Sequence, residues 1–288
     1  MSPNNNLPIV VGIDGSADGL AAVRWAAIDA ARRGARLDIL EAIVAPTEFG
    51  PGIAFDQYDY ERFREQGRDA LDAASETAAT AAGPIGELVL TTDLVEAPPI
   101  PTLRDRSKNA DMIVVGTRGH GAFGRTLLGS VSTALARHAE CPVAVIPKVP
   151  ETAGEPGPVV VGVDGSTCSN RAVEIAFDQA ARRGTDVVAV LTWSESFRYV
   201  SRDDLQQQGE ALLSESLAGY GETYPDVAVR RVVVEDRPAK RLLATGEHAE
   251  LIVVGSHGRG GFAGMTLGSV SQAVLHGAQV PVIIARTS

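Results

Sequence analysis

Short apolar runs recur along this chain, separated by amphipathic stretches. The run at 7–13 is almost wholly apolar and ends in Gly12-Ile13-Asp14-Gly15-Ser16, which reads as a buried strand followed by a turn. The next stretch carries Ala21, Ala22, Trp25, Ala26 and Ala30 at helical spacing. It begins at a capping residue, Ser16 or Asp18, and stops near Gly34 with Arg32 and Arg33 in its last turn. The same reading predicts strands at 37–44, 88–94, 111–115 and 142–147. It predicts helices over 58–82, from about Pro101, and from Gly129-Ser130 to about Glu140. Gly67, inside the long helical stretch, has no explanation at this level.

After residue 147 the pattern restarts. Residues 160–166 repeat 10–16 at an offset of 150 (160 − 10), and Ala181-Arg182-Arg183-Gly184 repeats residues 31–34 at the same offset. A glycine-rich stretch at 113–132 returns at 252–271, an offset of 139 (252 − 113), so the second unit is 11 residues shorter (150 − 139) in its middle. The shortening is placed around the second strand's loop and the long helix. The second unit reads as strands 187–191, 227–233, 251–254 and 282–285, with helices near 203–220, 238–247 and 265–279. The chain is therefore a duplication of one βα unit: a first domain at 1–147, a Pro/Gly/Glu linker at 148–157 and a second domain at 158–288. Alternating strands and helices predict an α/β fold of two tandem doubly wound, five-stranded parallel sheets. Ligands bind such sheets where the winding direction reverses. The loops richest in functional residue types follow strands 1 and 4, so those strands are placed side by side and the order becomes 3-2-1-4-5.

The repeated glycine stretch is the candidate site. Each copy runs from an apolar strand (113–115, 252–254) through glycines into Gly-Ser at a helix start (Gly129-Ser130, Gly268-Ser269). Glycines let a backbone approach a ligand, and the exposed N–H groups of a helix start suit an anion. A purely structural strand-to-helix connection is the alternative. Two copies in the same context favour binding. The run 119–126 has the look of a P-loop with arginine in place of lysine, but the second copy has Ala263 where the first has Gly124, so that reading fails. Asp14 and Asp164 are turn residues or ligands; beside phosphates a carboxylate would face the sugar or base, or reach a metal. Arg118, His120, Arg125, His257 and Arg259 neutralise phosphates or are solvated loop charge.

Bulk properties narrow the partners. The apolar fraction is 44%, the charged fraction 22% and the net charge −10, with no basic run, which excludes nucleic acid and an anionic membrane surface as expected partners. There is no signal pattern and no membrane-length apolar run, so a cytoplasmic location is expected. Cys141 and Cys168 lack metal or Cys-x-x-Cys spacing and read as small core or surface residues rather than as a redox switch.

Both units resemble the universal stress protein family in its tandem form, across almost the whole chain. The ATP-binding members carry G-x2-G-x9-G-[S/T], matched by Gly116, Gly119, Gly129 and Ser130, and again by Gly255, Gly258, Gly268 and Ser269. They also carry an Asp at the end of strand 1, matched by Asp14 and Asp164. The resemblance implies that these aspartates and the backbone around them (Gly12, Ile13, Gly162, Val163) hold the adenine and ribose end. It implies that the loops and helix starts hold the phosphates: Thr117, Arg118, Arg125, Val131 and Ser132 in one unit. In the other they are Ser256, His257, Arg259, Val270 and Ser271. Val44 lines the adenine side, and its counterpart falls around Leu191-Thr192. Two ATP per chain follow, with Mg²⁺ arriving on the nucleotide. The last strands, 143–146 and 282–285, would pair the two domains about a pseudo-two-fold axis, with a homodimer also open. No residue announces itself as a catalytic base, so the expected function is an ATP-dependent regulator of stress adaptation or growth, with an unidentified protein partner and slow or no hydrolysis. The alternatives are a scaffold with vestigial sites and a weak ATPase.

Overall fold

The computed structural model describes residues 7–44, 57–119, 128–148, 157–194, 201–259 and 266–287. The chain divides into two compact units, with the division falling at residues 141–149. The first unit runs β1 (Ile9–Ile13), α1 (Ala17–Arg33), β2 (Leu37–Ala42), α2 (Gln57–Ala82), β3 (Leu90–Val95), α3 (Pro99–Arg106), β4 (Met112–Gly116), α4 (Ser130–His138) and β5 (Val143–Ile146). The second repeats it as β6 (Val159–Gly162), α5 (Thr167–Arg183), β7 (Val187–Trp193), α6 (Arg202–Ser216), α7 (Tyr220–Thr223), β8 (Val229–Glu235), α8 (Pro238–Thr245), β9 (Leu251–Gly255), α9 (Ser269–Gly277) and β10 (Val282–Ala285). The linker at 149–156 lies outside the described residues.

The strand orders are β3-β2-β1-β4-β5 and β8-β7-β6-β9-β10, so both units have the expected 3-2-1-4-5 arrangement. The ladders of β1 run parallel to β2 and β4, with Ile9 opposite both Leu37 and Met112. In the second unit Val159 stands opposite Val187 and Leu251 in the same way. Strands covered on both faces must be apolar throughout, and Ile9, Val11, Ile113, Val114, Val159, Val161 and Val253 are fully buried. The reversal therefore lies between β1 and β4, and between β6 and β9, where a crevice opens at the strands' C-terminal ends.

Helix α1 starts at Ser16, whose hydroxyl accepts from the Gly19 N–H at 3.1 Å, and α5 starts identically at Ser166, which accepts from Ser169 at 3.2 Å. Of the two caps offered for α1, Ser16 is the one used, and Asp18 is buried instead. Both helices end on a glycine in the left-handed region, Gly34 (φ 61°) and Gly184 (φ 64°).

Three expectations are corrected. Strand β2 ends at Ala42, where its parallel ladder with β3 ends (Ala42 opposite Val95), not at Val44. The helix predicted over 203–220 ends at Ser216; Gly219, at φ 81°, turns the chain into the single-turn α7. There Tyr220 stacks on Phe177 with ring centroids 4.5 Å apart. The helix predicted over 265–279 is shorter, Ser269–Gly277, with residue 265 outside the described residues. The length difference between the units sits where expected: α2 has 26 residues and α6 has 15. Gly67 now has its reason. A Cβ there would stand 2.7 Å from Leu94 Cδ1 and 3.4 Å from Ile43, and one on Gly209 of α6 would stand 2.8 Å from Val233 Cγ1. Both long helices lie so close to the sheet that only a hydrogen fits.

Candidate functional site

In the second unit the turn after β6 and the loop after β9 are tied by one carboxylate. Asp164 Oδ1 accepts from the Ser166 N–H at 2.9 Å and from its hydroxyl at 2.6 Å. Asp164 Oδ2 accepts from the Arg259 N–H at 3.1 Å. Glycines make that approach feasible: a Cβ on Gly258 would run into Asp164 Oδ2, and one on Gly255 would stand 2.9 Å from Cys168 Cβ. The start of α9 is clamped back onto the end of β9. The Gly268 N–H donates to the Ser256 carbonyl at 2.7 Å and Ser271 Oγ donates to the Gly255 carbonyl at 2.6 Å. No side chain caps α9, because its N-cap is Gly268, so its first-turn donors lack the side-chain acceptor that Ser166 gives α5.

Together these elements enclose a cavity of about 520 Å³. It is lined by Gly162, Val163 and Asp164 from the first turn, and by Gly255, His257, Gly258 and Arg259 from the loop. Gly268, Ser269, Val270 and Ser271 line it from the helix start. Of the second unit's expected residues Leu191 and Ser256 stand back, Ser256 buried behind the wall with its hydroxyl 2.9 Å from His257 Nδ1.

Five lining residues escaped the sequence reading, Ser169, Val190, Pro238, Leu242 and Val254, while Thr192 lies where the counterpart of Val44 was expected. Val190 and Thr192 alternate along β7 toward the cavity. Leu191, between them, lies under α6 on the other face, its Cδ2 3.1 Å from where a Gly209 Cβ would be. Pro238 and Leu242 lie one helical turn apart on α8. Leu242 reaches over the strand because Gly162 has no side chain; a Cβ there would stand 3.1 Å from Leu242 Cδ1. The i, i+4 spacing of Pro238 and Leu242 was the available signal.

The first unit repeats the frame. Asp14 Oδ1 accepts from the Ser16 N–H at 3.1 Å, and a Cβ on Gly119 would run into Asp14 Oδ2. The Gly129 N–H donates to the Thr117 carbonyl at 2.6 Å. Ser132 Oγ donates to the Gly129 and Thr117 carbonyls at 3.1 and 3.3 Å, which makes Ser132 a clamp of the helix start. Ser130 is exposed at the start of α4, another helix without a side-chain cap, and Val131 is half-buried beside it. Leu103 covers Gly12 as Leu242 covers Gly162, and Ile13 is buried. Gly116 lies so close to α1 that a Cβ would stand 2.7 Å from the Asp18 backbone. Arg118 is exposed and its Nε is 3.7 Å from Asp18. Val44 is 55% exposed beyond the end of β2; the residue in register with Thr192 is Ala42 (192 − 150). His120 and Arg125 lie outside the described residues.

One charged group in the first unit was not anticipated. Glu41 on β2 is buried under Gly67, and its Oε2 has no hydrogen-bond partner. Burial, and secondarily the Asp14 charge, raises its carboxyl to about 8, so it is protonated at neutral pH. Its counterpart (41 + 150) is Leu191. Among the described residues no group of three or more His, Cys, Asp or Glu could hold a metal, and no helix is long and apolar enough to cross a membrane.

The fold and these two glycine crevices define a class: tandem doubly wound α/β domains with a ligand-sized cavity at the switch point. The chain belongs to the universal stress protein family, whose model matches it twice, over residues 6–147 and 157–286. It is 44% identical over 292 residues to a universal stress protein of Mycobacterium tuberculosis, covering 99% of each chain. It is 42% identical over 299 residues to another from the same organism, covering 100% of this chain and 99% of that one. The crystal structure of a universal stress protein from Archaeoglobus fulgidus shares the fold, with a TM-score of 0.71 at 22% identity over 98% of this chain and 97% of that one.

Proposed function

We propose that each unit binds one ATP and that the protein is a nucleotide-dependent regulator of stress adaptation or growth, acting through a protein partner. The observation that carries this reading is the unit-two cavity. Its volume lies in the range that takes a nucleotide-sized ligand, and its polar groups converge from the three elements that a phosphate-binding crevice uses. The uncapped start of α9, with Ser269 beside it, suits the phosphates, and the apolar side chains of Val190 and Leu242 suit a base. Mg²⁺ would arrive with the nucleotide, since the described side chains supply no cluster of their own.

We assign binding with slow or no hydrolysis. A general base must have a lone pair free for water. Asp164 faces the cavity, but three of the four lone-pair sites of its carboxylate already accept from Ser166 and Arg259, and those bonds aim it at the two loops rather than at a water. Its work is to hold the two loops together.

The test is a thermal-shift titration with ATP, ADP, AMP and a cyclic nucleotide. A ligand at a thousand times its dissociation constant adds about 4 kcal/mol, a shift of roughly ten degrees for domains of this size. ATP giving the largest shift supports the reading. No shift with any adenine nucleotide overturns it in favour of a scaffold.

A further inference from the structure

The first turns of α1 and α5 share a backbone but carry different acceptors at one buried position: Asp18 in the first unit and, 150 residues on, Cys168 in the second. Asp18 Oδ2 accepts from Thr117 Oγ1 at 2.8 Å and from the Arg118 N–H at 3.2 Å. Thr117 and Arg118 correspond to Ser256 and His257 (117 + 139, 118 + 139), and these are the residues that surround the thiol. Ser256 Oγ donates to Cys168 Sγ at 3.5 Å, His257 Nδ1 lies 3.6 Å from the sulfur, and Thr287 Oγ1 lies 3.6 Å from it. The position is built for a negative charge, between polar groups and the N-terminal turn of a seventeen-residue helix. Unit one fills it with a carboxylate, and unit two fills it with a group whose charge depends on its proton.

Burial pushes the Cys168 thiol up, but the bonds from His257, Ser256 and Thr287 outweigh it and bring it down to about 6. At neutral pH the thiolate therefore predominates. Cys168 is only 6% exposed, and its partner His257 forms part of the wall of the 520 Å³ cavity, so approach is limited to small reagents.

We infer that Cys168, paired with His257 and Ser256, is a site of covalent oxidation by hydroperoxides. The thiolate attacks one peroxide oxygen; the S–O bond forms as the O–O bond breaks. Sulfur loses two electrons and becomes a sulfenic acid, and the departing hydroxide, or alkoxide from an organic hydroperoxide, takes a proton to become water or an alcohol. The added oxygen has little room, because the Gly255 backbone already lies against Cys168. It displaces Ser256 and His257, and with them the cavity wall. The inference holds whatever ligand the cavity takes.

The experiment treats the full-length reduced protein with hydrogen peroxide in the presence of dimedone, which traps sulfenic acid, and maps the adduct by mass spectrometry. Cys141 is the internal reference, since it is the chain's other cysteine, forms no disulfide and is of nearly equal burial at 7% exposed. The expected result is labelling of Cys168 about tenfold faster than Cys141 or more, because His257 and Ser256 favour the thiolate at Cys168. His257→Ala and Ser256→Ala should each slow Cys168 and leave Cys141 unchanged, with circular dichroism confirming that each variant is folded. Equal rates at the two cysteines would overturn the inference. So would a Cys168 rate unchanged in folded H257A and folded S256A.

Discussion

The two halves of the chain share one frame and differ at the positions that carry charge. In the second unit Asp164 ties the strand-1 turn to the strand-4 loop, in the first Ser16 and Asp18 meet that loop, and both units clamp a glycine-started helix onto the strand end. Yet the first unit buries a carboxyl on its second strand, Glu41, where the second has Leu191. The first also holds a carboxylate at the start of its first helix, where the second holds Cys168. Arg118 stands in the first loop where His257 stands in the second. On the proposed reading the backbone geometry sets where a ligand sits, while these side chains set how each unit responds to pH and to oxidants. A duplicated fold can thus keep one crevice twice and attach different sensitivities to it.

The strongest way to break the comparison is to block one crevice at a time. Gly129→Glu places bulk and negative charge at the start of α4, where a Cβ already stands 3.1 Å from the Thr117 carbonyl. Bound nucleotide should fall from two equivalents to one. Gly268→Glu should remove the other equivalent, and the double variant should bind none. If the stoichiometry of G129E stayed at two, the phosphate end of the site would have been placed wrongly.

Next in size is the buried carboxyl. Glu41 holds its proton in the folded state up to about pH 8, while the unfolded chain releases it near the ordinary carboxylate value. The folded state then binds more protons than the unfolded one between those two values, so stability from this group falls as pH rises through that window and levels off above it. Glu41→Gln cannot ionise. It should gain up to about 4 kcal/mol over the parent at pH 8 and nothing at pH 4, read from urea midpoints across that range. A pH-independent difference would mean that Glu41 is ionised in the folded protein. Leu191→Glu should import the same pH dependence into the second unit.

The smallest effect concerns the caps. Ser16→Ala should cost about 1 kcal/mol, the usual value for a lost N-cap. Ser166→Ala should cost somewhat more, because Ser166 Oγ also donates to Asp164 at 2.6 Å. Equal costs would show that this extra bond adds nothing to the loop tie.

Much of the frame was legible because it rests on local rules. Apolar runs, glycine stops and the two offsets placed the strands and their order, and the aspartates and Gly-Ser starts marked the crevice. What was not legible depends on contacts across long sequence separations. Ser16 and Asp18 both read as possible caps, and only the fold shows that Ser16 takes that task and leaves Asp18 to meet Thr117, 99 residues away. Cys168 read as a small core or surface residue rather than a redox switch, because its partner His257 is 89 residues distant. Glu41 sits in a strand otherwise rich in apolar residues, but nothing local said that its side chain would be buried with Oε2 unpartnered. Gly67 needed the strand beneath it. Aligning the halves by their own offsets would have paired Asp18 with Cys168 and Arg118 with His257 before any coordinates existed.

The central claim is that both crevices take a nucleotide, and the most direct measurement denatures the freshly purified protein and quantifies what it releases by chromatography. The account predicts adenine nucleotide, chiefly ATP, approaching two equivalents per chain after saturation and removal of excess ligand. Release of no nucleotide from protein so saturated would contradict it.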